Sequence, residues 1–490
     1  MVFGFARVVV IAATWAIAVA LPAVAQFETR ASFPIGGDAG PNSLVVGDFN
    51  RDGILDVAEF SFVPAGSVEI LLGNGNGTFR LGATYALAGS PFYDATASLR
   101  HNGILDLVIA GGNMDDVYVM LGNGDGTFQT PVPYPTTASP LVVGVGKFTR
   151  GGNLDLLALE GTSAGGIVCD CIEVLPGNGD GSFGAPITTP VPYNIKGFAI
   201  SAGDFNNDGK LDVAVAGGFG ISSQVDILLG NGDGTFTADG YYDVGESPQS
   251  IATGYFTHDK TKLDLAVGNE AGSSLSVLLG NGDGTFQPSV YYDTETPTWI
   301  IAEDLDGDGN VDLAASNAGL AGFLHEFPPG VSVFKGNGDG TFQAGAFYFA
   351  GRGFDGTYVA AGDFNGDHKP DLVDVNSDGQ AVITLLNTGV ASFSPTTPLS
   401  FKAQAVGTTS SPQAVTLTNT GAAELKIQAI KASAGFSVTS TCGAGVAPGA
   451  ACTITATFSP TKQGAVQGAI SISDNASSKP QVIELTGNGS

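Results

Sequence analysis

From about residue 27 almost to its end, the chain alternates short runs of Val, Ile and Leu with clusters of Gly, Asn and Asp. Leu44-Val45-Val46 and Val225-Asp226-Ile227-Leu228-Leu229 are typical runs. Apolar runs of this length, rich in β-branched residues and bounded by turn formers, predict strands. No segment sustains a helical period between capping residues. An all-β fold is expected.

The alternation is itself periodic. LLGNGNGTF (71–79) returns as MLGNGDGTF (120–128), LPGNGDGSF (175–183), LLGNGDGTF (228–236 and 278–286) and FKGNGDGTF (334–342), with a worn copy, LLNTGVASF, at 385–393. A second motif precedes each: GDFNRDGILDVA (47–58), GDFNNDGKLDVA (203–214), EDLDGDGNVDLA (303–314) and GDFNGDHKPDLV (362–373), with looser forms beginning at 97, 146 and 254. Seven copies follow one another at intervals of 49 to 59 residues. About 50 residues suffice for a four-stranded sheet, and a ring of such sheets is a β-propeller. Asn-Gly-Asp-Gly supplies the positive-φ residues of a tight hairpin.

An aromatic stands six residues after the Phe of most GTF elements: Phe79/Tyr85, Phe128/Tyr134, Phe236/Tyr242, Phe286/Tyr292 and Phe342/Tyr348. The third repeat reaches its Tyr at ten, Phe183/Tyr193. The seventh lacks such a strand, whereas Phe27/Phe33 near the start of the chain has the offset of six. A strand at Phe27–Pro34 is therefore expected to complete the last sheet and remove exposed edges. The recurring Tyr are read as core, with sugar platforms as the competing reading.

The second motif carries the candidate chemistry. Asp48, Asn50, Asp52 and Asp56 place side-chain oxygens at alternate positions of a tight loop, with a carboxylate at the ninth position; the carbonyl of Ile54 adds another oxygen. The set recurs as Asp204, Asn206, Asp208, Asp212 with Lys210; as Asp304, Asp306, Asp308, Asp312 with Asn310; and as Asp363, Asn365, Asp367, Asp371 with Lys369. Hard oxygen ligands in a flexible cage suit Ca²⁺. Turn capping alone would also use Asp and Asn, but several carboxylates in one loop repel without a cation. Four Ca²⁺ per chain are expected. The other three loops are expected to be metal-free: Arg100 sits where a ligand belongs, Lys147 replaces the first Asp, and the loop at Tyr255 has an extra residue. Asp48–Glu59 matches the EF-hand expression, but Val215, Ala315 and Asp374 stand where Glu59 does, and the flanks alternate like strands.

On GDFNNDGKLDVAVA, LLGNGDGTF and their kin, the segment from about 27 to 394 resembles the FG-GAP/VCBS family, which includes the integrin α-subunit propellers. The resemblance implies a seven-bladed propeller with Ca²⁺ in inter-strand loops. It leaves function open, since the fold hosts adhesins, lectins, lyases and lipases.

From about 397 the composition turns to Thr, Ser, Ala and Val, with roughly seven short strand-like runs, as in an immunoglobulin-like sandwich. VTLTNTGAAELKI and CGAGVAPGAACTITATFSPTKQGA resemble the Ig-like modules of abnormal-spindle/hydin type. Cys442 and Cys452 flank a Gly/Pro-rich turn and are expected to form a disulfide. Cys169 and Cys171 remain open between a bridge, free thiols and a soft-metal site.

Charge and the N-terminus set the setting. Nineteen Lys and Arg face 47 Asp and Glu, a formal net charge of −28, which excludes a nucleic-acid partner. Arg7, the apolar run at 8–25 and the Ala23-Val24-Ala25 ending read as a secretory signal, cleaved after Ala25, with a retained anchor as the competing reading. The expected domains are a signal at 1–25, a seven-bladed propeller at 26–395 and an Ig-like β-sandwich at 396–490. None of the four His has a catalytic motif around it, and G-x-S-x-G, H-E-x-x-H and P-loop patterns are absent. The expected function is that of a secreted or cell-surface, non-catalytic, Ca²⁺-binding adhesion protein with a protein or glycan partner and no membrane span after cleavage. The alternatives are a Ca²⁺-dependent carbohydrate-active enzyme, such as a polysaccharide lyase, and a propeller lectin.

Overall fold

The computed structural model describes residues 27–35, 40–62, 66–160, 171–191, 197–217, 223–319, 329–350, 356–367, 369–376, 380–387, 391–394, 399–419, 424–447, 449–474 and 481–490. The described residues are all-β, with no α-helix. The expected signal lies outside them, as do Cys169, Tyr193, His325 and His368.

Seven four-stranded antiparallel sheets account for 27–387. Sheet 1 runs outward in chain order through Pro41–Gly47, Asp56–Ser61, Ser67–Gly73 and Phe79–Ala86. Sheets 2 to 6 repeat this meander at 94–135, 140–190, 197–243, 248–293 and 296–349. Sheet 7 has three strands in chain order, Gly356–Gly362, Asp371–Asn376 and Ala381–Asn387. Its outermost strand is Phe27–Pro34, in antiparallel register from Phe27↔Asn387 to Pro34↔Ala381. Innermost strands contact one another from each sheet to the next and from sheet 7 back to sheet 1. This is a β-propeller closed by its N-terminal strand.

The sheets are held by the faces they turn to each other. Second strands such as Asp106–Ala110 are buried at every residue, because both faces meet a neighbouring sheet. Val45, Phe60 and Ile70 of sheet 1 form one apolar cluster with Leu107, Ile109 and Phe128 of sheet 2. Each GTF Phe meets an aromatic of the preceding sheet edge-on, as in Phe49–Phe128 (5.4 Å) and Phe205–Phe286 (5.5 Å). Phe27 takes that place in sheet 7, 5.3 Å from Tyr348. The backbone N–H of Phe128, Phe286 and Phe342 donates to the hydroxyl of Tyr85, Tyr242 and Tyr292 of the sheet before. These tyrosines are thus interblade core.

One detail differs from expectation. In sheet 3 the partner of the next Phe is Thr189, whose Oγ1 accepts from the N–H of Phe236 at 3.2 Å. Thr189 keeps the offset of six, so the strand retains its length and Tyr193 is not needed. As expected, the worn seventh copy gives sheet 7 no outer strand; Ala391–Ser394 pairs instead with Gln413–Asn419 of the sandwich. Phe27–Pro34 already occupies that edge of sheet 7.

The C-terminal sandwich stacks a four-stranded and a five-stranded sheet. Ala451–Phe458 alternates exposed or half-buried with buried positions, and its Ile454, Ala456 and Phe458 pack with Val415, Leu417 and Ile470. The expected Cys442–Cys452 disulfide is present. Cys171 is also disulfide-bonded.

Candidate metal loops

In a four-stranded meander, the loop between the first two strands and the hairpin between the last two open on the same side. The Asp loops and the GNGDG hairpins therefore share one face of the propeller. The ninth-position Asp joins them. In sheet 1, Asp56 accepts the N–H of Phe49 on Oδ2 (3.0 Å) and that of Gly73 on Oδ1 (2.8 Å). Asp212, Asp312 and Asp371 do the same with Phe205 and Gly230, Leu305 and Gly336, and Phe364 and Asn387. Asp106, Asp155 and Asp264 repeat the arrangement in the three loops that lack the ligand set. All seven are buried. Tying loop to hairpin is thus the shared task of this residue, independent of any ion.

The remaining oxygens are also organised by backbone donors. Asp48 accepts from Asp52 and Gly53, Asn50 from Asp52, and Asp52 from Ile54. Asp204, Asn206 and Asp208 match them, receiving Asp208, Gly209 and Lys210. In sheet 6, Asp304 accepts from Gly307 and Gly309, Asp306 from Asp308, and Asp308 from Asn310. In sheet 7, Asp363 accepts from Gly366 and Asp367, Asn365 from Asp367, and Asp367 from Lys369. Backbone N–H groups partly offset the repulsion among the carboxylates, so each loop has a defined shape before any cation arrives. Tight Asx turns require positive φ, which Gly53, Gly209 and Gly309 supply.

Charge is poorly compensated inside the loops. Burial, and then the neighbouring Asp52, push Asp56 up to about 6. Burial, with Asp306 and Asp308, raises Asp312 to about 7. Burial, with Asp367 and Asp363, does the same to Asp371. Burial, with Asp208 and Asp204, raises Asp212. A bound divalent cation would reverse each of these shifts.

In sheet 6, carboxylate oxygens of Asp304, Asp306 and Asp312 lie within 4.8 Å of one another. Among the described residues no other His, Cys, Asp and Glu side chains make such a group. Lysines satisfy part of the loop charge. Lys210 meets Asp208 at 2.6 Å, Lys369 meets Asp367 at 3.6 Å, and Lys335 donates to Asp306 at 2.8 Å. Lys335 was not expected, although its signal is visible: it stands in FKGNGDG where Leu72, Leu121, Leu229 and Leu279 precede the same glycine. In sheet 2 the cation is built in. Arg100 Nη2 lies 2.6 Å from both Asp106 Oδ1 and the carbonyl of Gly122. Glu59, the twelfth residue of the EF-hand match, is buried in a strand, where Oε1 accepts from Ser61.

Acidic turn loops repeated on one face of a closed ring define a repeat propeller. The FG-GAP-like repeat model matches residues 152–215, 204–262, 261–315 and 323–373. The abnormal spindle-like, ASPM-SPD-2-Hydin model matches 388–482. The chain carries four FG-GAP-like repeats within its propeller and a C-terminal domain matched by the second family. No curated protein matches it. Among solved structures, it is similar to an Agrocybe aegerita lectin described as recognising non-reducing terminal N-acetylglucosamine, at 18% identity, over 69% of this chain and 86% of that one, with a TM-score of 0.44. No helix among the described residues is long and apolar enough to cross a membrane.

Proposed function

We propose that the protein is an exported, non-catalytic, Ca²⁺-stabilised binding module that presents its propeller to an extracellular protein or glycan. The observation that carries this reading is the four-fold recurrence of an all-oxygen, carboxylate-rich loop, preshaped by backbone donors on one face. In sheet 6, Asp304, Asp306, Asp308 and Asp312 would hold the ion, with the carbonyl of Asn310. In sheets 1, 4 and 7 the ligands would be Asp48, Asn50, Asp52 and Asp56; Asp204, Asn206, Asp208 and Asp212; and Asp363, Asn365, Asp367 and Asp371. Ile54, Lys210 and Lys369 would add carbonyls. The ion would supply positive charge that lets buried carboxylates ionise and fixes the loops. The supporting experiment is a pull-down of glycan and protein partners with and without EGTA, run beside a melting curve. Loss of binding together with a lowered melting temperature supports the reading. If chelation abolishes a turnover activity and leaves melting unmoved, the ion is catalytic and the lyase alternative takes over.

A further inference from the structure

Three neighbouring sheets carry two adjacent aromatics on their outermost strand: Tyr241-Tyr242, Tyr291-Tyr292 and Phe347-Tyr348. Successive side chains of a strand point to opposite faces, and the two members of each pair differ accordingly. The second turns toward the following sheet: Tyr242 and Tyr292 accept the N–H of Phe286 and Phe342, and Tyr348 packs edge-on against Phe27. The first is exposed, at 64% for Tyr241, 52% for Tyr291 and 41% for Phe347.

The repeat contains its own control. At the equivalent position, sheets 1, 2, 3 and 7 carry Thr84, Pro133, Thr188 and Ser32. The fold therefore does not require an aromatic there. Single exposed aromatics are ordinary, but three in register on contiguous sheets make a band along the rim.

The surroundings of the band define its chemistry. Ser289, just before the outermost strand of sheet 5, donates its Oγ to the carbonyl of Asp243, the end of the outermost strand of sheet 4, at 2.8 Å, so the two strands flank one groove. Tyr291, opposite Tyr292 in the alternation, faces that groove, and exposed Asp293, two residues on, shares its side. The same alternation puts exposed Asp243 on the side of Tyr241 and exposed Phe349 on the side of Phe347. Both tyrosine rings are thus accompanied by a hydroxyl-accepting carboxylate. The formal charge of −28 repels anionic polymers. A protein partner needs a continuous apolar centre, which these carboxylates interrupt. A pyranose offers the complement: an apolar C–H face for the ring and hydroxyl hydrogens for the carboxylate.

We propose that the rim of sheets 4 to 6 binds an uncharged polysaccharide, with Tyr241, Tyr291 and Phe347 each stacking on one sugar. This deepens the ligand-binding reading above, but it does not depend on the metal loops. The test is depletion of the full chain on insoluble cellulose, chitin, xylan and mannan, at low and high salt. Y241T, Y291T and F347T are compared singly and combined, Thr being the residue that sheets 1 and 3 carry. At least one neutral polysaccharide should bind independently of salt. Each single change should weaken apparent affinity about 3- to 10-fold and the triple change more than about 100-fold, because contacts on one polymer multiply. Melting temperatures should stay unchanged. Wild-type binding by the triple variant overturns the proposal, as does binding only to a cationic glycan in low salt or to no polysaccharide at all. If the triple variant still takes its partner in an EGTA-sensitive manner, the band fails and the loop-face reading stands. If polysaccharide binding survives EGTA and needs the three rings, the band stands alone.

Discussion

The side-chain amide of Asn387 donates to the backbone carbonyl of Leu305 at 2.6 Å, tying sheet 7 to sheet 6. Elsewhere the equivalent carbonyl receives a glycine N–H from the next GNGDG hairpin: Phe49 from Gly126, Phe148 from Gly234, Phe205 from Gly284, Phe256 from Gly340 and Phe364 from Gly77, all at 2.9–3.1 Å. The worn seventh copy has lost that hairpin, and a side chain makes the link instead. Asn387→Ala should cost about 1–3 kcal/mol, the penalty of leaving a buried carbonyl unpaired. Denaturant unfolding measures it; an unchanged midpoint would contradict this role.

Closure by the N-terminal strand makes a second expectation. Phe27 is 3% exposed and packs with Leu305, Val331 and Val359. Phe27→Ala should destabilise by about 3–5 kcal/mol. Removing Phe27–Pro34 should leave Ala381–Asn387 as an unpaired edge and promote aggregation. A truncated chain as soluble and as heat-stable as the full one would sink the closure account.

Buried acids away from the loops set the response to pH. Burial raises Glu59 to about 8, with Ser61 lowering it and the Glu69 and Asp94 carboxylates adding to the rise. Burial raises Asp94 to about 8 against its bond from Ser43, and Asp374 to about 8 against its bond from Ser316. One oxygen of each has no partner. Their folded pKa lies above the unfolded value, so they cost nothing below about 4, where both states are protonated. Stability should then fall as pH rises from about 4 to about 8. Glu59→Gln, Asp94→Asn and Asp374→Asn should each flatten that slope and raise the melting temperature at pH 8. A steeper slope in these variants would refute the assignment.

On the proposed Ca²⁺ reading, Lys335 would act against metal binding in sheet 6, since its ammonium holds Asp306. Lys335→Leu, restoring the residue of sheets 1, 2, 4 and 5, should tighten Ca²⁺ at that loop about 2- to 5-fold, the worth of one partly exposed ion pair. Calorimetric titration reads it directly. Weaker binding would show that Lys335 supports the loop instead.

Much of this was legible in the residues because a repeat prints its rules several times. The strand order, the N-terminal closure and the Cys442–Cys452 bridge all followed from periodicity, offsets or spacing. Departures arose where one residue substitutes for another through a contact made outside its own sheet. Thr189 takes the place of a Tyr because a hydroxyl is all that the Phe236 N–H needs. Lys335 reaches Asp306 over 29 residues, a pairing that only the hairpin's fold creates. Tyr241 and Tyr242 are alike in sequence and opposite in exposure, because strand alternation and the neighbouring sheet decide which is buried. The ninth-position Asp, expected as a ligand in four loops, also stands in the other three, because two backbone N–H groups donate to it in each sheet.

The most direct measurement is native mass spectrometry of the chain equilibrated with Ca²⁺ and then with EGTA, read beside its melting curve. Four ions per chain, lost on chelation with a fall in melting temperature, is the expected result: Ca²⁺ bound only to the folded state adds about 1–3 kcal/mol per site at 10- to 100-fold excess over Kd. No bound Ca²⁺, or a count near seven, would contradict it.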